Sequence, residues 1–157
     1  AAGLVSGQIQ AALLAPPEST KLEGQGFRVL YDLSALKYPA TGQLVVMPRA
    51  WLNAHRDAAQ AFVDSIVQAL AQARRDKASA VASLKNNLKL DDEALLNGTY
   101  DYFAGSILAP EPYARPEQLA NDLAVIQQGG KLASFDAASI IDSSLVTSAV
   151  GRGLAKV

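Results

Sequence analysis

The chain carries one histidine, His55, in the run Trp51-Leu-Asn-Ala-His-Arg-Asp57, and no cysteine. A nucleophile–base–acid triad needs that histidine beside a Ser and an Asp, and a metal site needs further ligands. No spacing in the sequence places such groups together, so His55 reads as a solvated or capping side chain. Asp91-Asp92-Glu93 has the residue types of a cation cluster, yet it stands where a helix begins, and a helix dipole favours acids there. Ser143-Ser144 lacks the G-x-S-x-G elbow of a hydrolase and reads as a helix cap. Gly24-Gln-Gly26 lacks the third glycine of a dinucleotide fingerprint and follows a helix, so it reads as a helix stop. Tyr100, Tyr102, Phe103 and Tyr113 are of the types that wall small-molecule pockets, and at helical spacing they equally serve a core. Trp51, the only tryptophan, reads as packing. No catalytic residue, metal ligand or cofactor is assigned, and no enzymatic turnover is expected of this chain alone.

Binding chemistry has a better candidate in Gly7-Gln-Ile-Gln-Ala-Ala-Leu-Leu-Ala-Pro-Pro-Glu-Ser-Thr20. Ile9 to Leu14 is an apolar run bounded by Gly7 and Pro16-Pro17, the pattern of a strand covered on both faces. Pro17 presets a first helical turn and Glu18 suits its dipole. In open α/β sheets, ligands bind beyond the carboxyl ends of strands, where helix N-termini present N–H groups. Leu14, Ala15, Pro16 and Ser19 form such a place, with the Ser19 N–H expected to lack a helical partner.

The elements that must position this turn follow in order. Ala1 to Ser6 reads as the last turns of a helix capped by Gly7. Glu18 to Gly24 reads as a short helix, and Phe27 to Tyr31 as a strand ending at Asp32. Lys37 to Gly42 is a linker with Pro and Gly at turn positions, and Leu44 to Met47 is another buried-strand run ended by Pro48. Beyond Pro48 the pattern is helical. Arg49 to Ala54 is short; from Asp57 a long helix carries Ala59, Phe62, Val63, Ile66, Val67 and Leu70 on one stripe. Ala78 to Leu88 follows, with Val81, Leu84 and Leu88 inward. Asp91 is the expected N-cap of a helix bearing Leu95, Leu96, Thr99, Tyr100 and Phe103. A loop from Gly105 to Tyr113 precedes a helix that starts at Pro116 and ends at Gly129-Gly130. Ser139 to Val150 reads as the last helix.

At 157 residues, with half of them hydrophobic, the chain can build a real core. A net charge of −1 and a pI of about 5.8 leave no basic stripe, so no nucleic acid is expected as a partner. No apolar run approaches the ~18 residues of a membrane helix.

The segments "GQIQAALLAPPE", "GQGFRVLYDLSAL", "LVVMPRAWL", "FVDSIVQALAQARRD" and "IIDSSLV" come in an order that resembles the C-terminal half of the nitrate/sulfonate/taurine-type solute-binding proteins of ABC importers. Those proteins share the type II periplasmic-binding-protein fold with thiamine-pyrimidine-precursor proteins. The resemblance covers nearly everything from Gly7 to Val146. The family often has Asp where this chain has Gln10, so no polar role is given to that position. The resemblance implies a helix-rich α/β fold, one part of a two-lobed molecule whose N-terminal half is absent here. Residues 1–46 would be a remnant of the second lobe with the hinge, and 47–157 a helical part that packs on the first lobe. Leu14, Ala15, Pro16 and Ser19 would face the solute, with Tyr38 near the hinge as a wall. The implied partners are a small solute, anionic ones included, and a membrane permease, in a periplasmic or extracytoplasmic setting. A thiamine-pyrimidine-synthase-like enzyme and a ligand-sensing domain are the alternatives on the same scaffold.

Overall fold

A computed structural model describes residues 1–130, 132 and 134–157. Among the described residues eight α-helices follow one another: α1 (Ala2–Val5), α2 (Glu18–Glu23), α3 (Arg49–Ala54), α4 (Arg56–Arg75), α5 (Lys77–Leu88), α6 (Glu93–Tyr102), α7 (Ala120–Gln128) and α8 (Ser144–Gly151). Short 3₁₀ turns lie at Leu33–Leu36, Pro116–Gln118 and Ala137–Ile140, and a π-helical turn at Phe103–Ile107.

No strand occurs among the described residues, which corrects the expected α/β, periplasmic-binding-protein fold. Ile9 to Leu14, Phe27 to Tyr31 and Leu44 to Met47 are instead irregular or extended segments. The physical reason is that a strand exists only through a partner. Its backbone N–H and C=O groups need a ladder, and an apolar run without one gains nothing from β geometry. The side chains bear this out: Leu13 is 81% exposed, Leu30 75% and Val46 82%. Helices satisfy their backbone internally, and they are what remains.

The chain divides into two compact units. The first comprises Ala1–Asp32 and Gln72–Leu108. Its core is small: Leu22 of α2 and Leu95, Leu96 and Thr99 of α6 are buried, and α6 packs against α2, α5 and the π-helical turn. Two caps set its helix starts. Asp76 accepts from the Ser79 N–H (3.0 Å) at α5, and Asp92 from the Leu95 N–H (2.9 Å) at α6. Asp92 rather than Asp91 is thus the cap; Asp91 pairs with Lys85 at 3.0 Å. The Thr99 hydroxyl, buried in mid-helix, donates to the Leu95 carbonyl at 2.8 Å, so no polar group is left unpaired there.

The second unit comprises Leu33–Ala71 and Ala109–Val157. Leu52 of α3, Ala59, Val63 and Val67 of α4, and Leu145 and Ala149 of α8 form its core, with Met47, Val146, Leu154 and Ala155 against it. The buried face of α4 runs at four-residue steps through Ala59, Val63, Val67 and Ala71. Phe62 and Ile66, expected on the same stripe, are 49% and 39% exposed. Ala59, Val63 and Val67 of this row share the core with Leu145 and Ala149 of α8, while Phe62 and Ile66 lie off the row. Gln60 links the two helices by donating to the Leu145 carbonyl at 3.0 Å.

Candidate functional site

The turn that carries Leu14, Ala15, Pro16 and Ser19 belongs to the first unit. Leu14, Pro16 and Ser19 are half-buried, and Ala15 is exposed. Helix α2 is held in place by Leu22, which is 4% exposed, while the Phe27 N–H donates to the Leu22 carbonyl at 3.1 Å and closes the far end. The Pro16–Pro17 peptide is cis. One expectation fails here. The Ser19 N–H donates to the Ala15 carbonyl at 3.2 Å, so it is not free for a ligand. The helical hydrogen-bond pattern begins one turn before α2 itself, and at six residues α2 has little dipole to offer an anion. What the turn presents is an apolar rim: the Leu14 side chain, the Ala15 methyl group and the Pro16 ring.

Tyr38 lies in the second unit and is 62% exposed. It follows Lys37, whose φ of +47° turns the chain sharply before Pro39. Pro39 in turn lines a hollow of about 360 Å³ together with Ala109, Glu111, Tyr113, Arg115, Glu117 and Gln118. The Gln118 side chain accepts from the Arg115 N–H at 2.8 Å and shapes the lower edge of this hollow. In the first unit, Arg74, Tyr100, Asp101, Ala104 and Gly105 line a second hollow of about 240 Å³. The structure thus puts two of the four aromatics singled out from the sequence, Tyr100 and Tyr113, on hollows. The other two pack edge to face, Tyr102 against Phe103 at 5.2 Å and 89°. Sequence reasoning missed the π-helical turn that shapes the smaller hollow; the pair Ala104-Gly105, too small to fill a helix face, was the available signal.

The remaining chemical candidates have structural employment. His55 stacks on Trp51 with ring centroids 4.8 Å apart and planes 17° from parallel. Its Nδ1 sits 3.0 Å from the Trp51 carbonyl oxygen, and since a carbonyl only accepts, Nδ1 carries the proton. Ser144, the first residue of α8, bonds through its hydroxyl to Asp142 and to Arg56. The Ser144 hydroxyl and backbone N–H, helped by Arg56 at 3.4 Å, hold the Asp142 carboxyl below the usual carboxylate range. Arg152 at 2.5 Å does the same to Asp64, with Gln60 adding a bond at 2.7 Å. Asp64 raises the Arg152 pKa in return. Both clusters fasten α4, one to the start of α8 and one to its end. Among the described residues no group of three or more His, Cys, Asp or Glu side chains is placed to hold a metal ion.

Comparison with protein-family models, with curated proteins and with solved structures finds no match to this chain.

Proposed function

We propose that the chain is part of the solute-binding component of an ABC importer, which takes up a small solute, anionic ones included, outside the cytoplasm and passes it to a membrane permease. The reading rests on the ordered series of segments that resembles the nitrate/sulfonate/taurine-type binding proteins. One observation carries it further: many apolar side chains of the first three of those segments are exposed. Ile9, Leu13, Val29, Leu30 and Tyr31 stand open in the first unit, and Leu33, Leu36, Leu44, Val45 and Val46 in the second. Runs of neighbouring exposed apolar side chains within one unit, Val29-Leu30-Tyr31 in the first and Leu44-Val45-Val46 in the second, mark places that something else covers, a bound molecule or further polypeptide. No helix among the described residues is long and apolar enough to cross a membrane.

In the first unit the rim at Leu14, Ala15 and Pro16 supplies an apolar wall for the solute. It contributes no charge, so affinity comes from enclosure of the solute rather than from a single strong bond. The test is calorimetry on the protein purified as its host makes it, titrated with small sulfonates, carboxylates and neutral heterocycles. Ala15→Trp projects from an exposed position and leaves the fold alone. It is expected to weaken the bound class at least about tenfold, or ~1.4 kcal/mol. Unchanged affinity in Ala15→Trp would remove this turn from the site.

A further inference from the structure

We propose that residues 28–32 form a self-complementary strand through which two copies of this chain pair antiparallel. The segment leaves the first unit's core at Phe27, whose N–H is tied to the Leu22 carbonyl at 3.1 Å. Beyond that anchor Val29, Leu30 and Tyr31 are 56%, 75% and 64% exposed. The N–H and C=O groups of Arg28, Val29, Leu30 and Tyr31 bond to no other described backbone group. A β-branched and aromatic run with an unbonded backbone suits strand addition, in which main-chain bonds give affinity and alternate side chains give specificity. The composition is that of a strand, and what is lacking is a neighbour. This contact between copies stands apart from the capture of a solute.

The order of the side chains identifies that neighbour as a second copy. Set antiparallel about a two-fold axis at Leu30, the segment places Arg28 opposite the partner's Asp32, Asp32 opposite the partner's Arg28, and Val29 opposite the partner's Tyr31. Opposite charges, an aromatic with a β-branched residue, and Leu30 against itself are all favourable cross-strand pairs. A parallel pairing in register would instead set Arg28 on Arg28 and Asp32 on Asp32, which like charges disfavour. In the antiparallel ladder Val29 and Tyr31 exchange both their N–H···O bonds with the partner's Tyr31 and Val29. The Arg28–Asp32 and Leu30–Leu30 pairs then fall at the positions where side chains approach most closely. Arg28 is exposed and takes part in no ion pair among the described residues. Asp32 is exposed too, and a carboxylate has about four acceptor sites, so the cross-pair adds to what it already holds. The chain bends at Leu30, and no backbone bond holds the bend, so pairing straightens it. A segment this short falls far below the ~20–30 residues a side of a standard interface, so the dimer is weak, with a dissociation constant on the order of 100 µM.

The experiment is sedimentation velocity on the protein purified as its host makes it, over a range of roughly 10 µM to 1 mM that brackets a weak interface. The native protein is expected to pass from monomer to dimer across that range. Arg28→Asp opposes two carboxylates and Asp32→Arg opposes two guanidinium groups, so each should weaken association at least about tenfold. Mixed in equal amounts, these two variants restore opposite charges at both positions and should pair with each other as the native chain pairs with itself. Leu30→Glu brings like charges together on the two-fold axis and should abolish pairing; it leaves Asp32 untouched, so it decides if Asp32→Arg does not fold. Circular dichroism should be unchanged throughout, because the substituted side chains are exposed. A native protein that stays monomeric to the top of the range overturns the proposal. So does native-like association of Arg28→Asp or Leu30→Glu, or a mixture of the two folded charge variants that stays monomeric.

Discussion

Leu96 and Leu13 are the same residue type in the same unit at opposite extremes of burial, 1% and 81% exposed. Leu96→Ala removes three buried carbons from α6, which packs against both α2 and α5. Such truncations cost about 2–5 kcal/mol, the upper part where the surroundings cannot collapse into the space. The first unit has few other buried side chains to redistribute, and Leu95 and Thr99 on the same helix are fixed by backbone and hydroxyl bonds. We therefore expect about 3 kcal/mol, which for a chain of this length lowers the melting temperature by roughly 6–12 °C. Leu13→Ala removes the same atoms from a side chain already in water and should stay within about 0.5 kcal/mol. Urea unfolding followed by far-ultraviolet circular dichroism compares the two, with equal slopes showing that only stability has changed. A loss below about 1 kcal/mol for Leu96→Ala, or equal losses for both variants, would refute the assignment of the core.

Two further outcomes can be checked on the same samples. Asp92→Ala removes the acceptor of the Leu95 N–H at 2.9 Å and should cost about 1 kcal/mol, read as a lower urea midpoint, whereas Asp91→Ala loses only an exposed ion pair and should be near neutral. Asp64 and Asp142 both have depressed carboxyl pKa values in the folded state, from the ordinary 3.8. Their stabilising contribution is therefore complete above the unfolded value and lost as pH falls through the lower folded value. Unfolding midpoints should hold down to about pH 4 and drop below it. The drop should be shallower in Asp142→Asn, and an identical acid limb would sink the argument.

The helices were legible because their evidence is local. Asp57, the stripe through Ala59, Val63 and Val67, and the cationic end at Arg74 and Arg75 all lie within one segment, and α4 forms where they place it. The apolar pattern did not say which side of that stripe faces inward. Phe62 and Ile66 were expected inside because they fall on the apolar stripe by spacing, while the row that shares the core with Leu145 and Ala149 of α8 is Ala59, Val63 and Val67. Strands are different in kind. Ile9 to Leu14 has strand composition, but a strand is a property of two segments, and its partner cannot be read from one of them. The turn at Leu14 to Ser19 was found for the right local reason, Pro17 ahead of Glu18. Its expected donor was lost because the Ala15 carbonyl reaches the Ser19 N–H first. The hollows at Arg74 and Tyr113 depend on the π-helical turn and on 3₁₀ geometry, for which the sequence offers only small residues and a proline.

The claim that this chain serves solute capture is tested most directly by uptake in its host. Cells carrying the Ala15→Trp variant and cells carrying the native protein, at equal expression, are given the labelled solute class identified by calorimetry, at a concentration below half-saturation. The account predicts that initial uptake falls in proportion to the loss of binding, about tenfold or more, and recovers when the solute concentration is raised. Uptake equal in the two strains while binding differs, or no binding to any of the three compound classes, contradicts it.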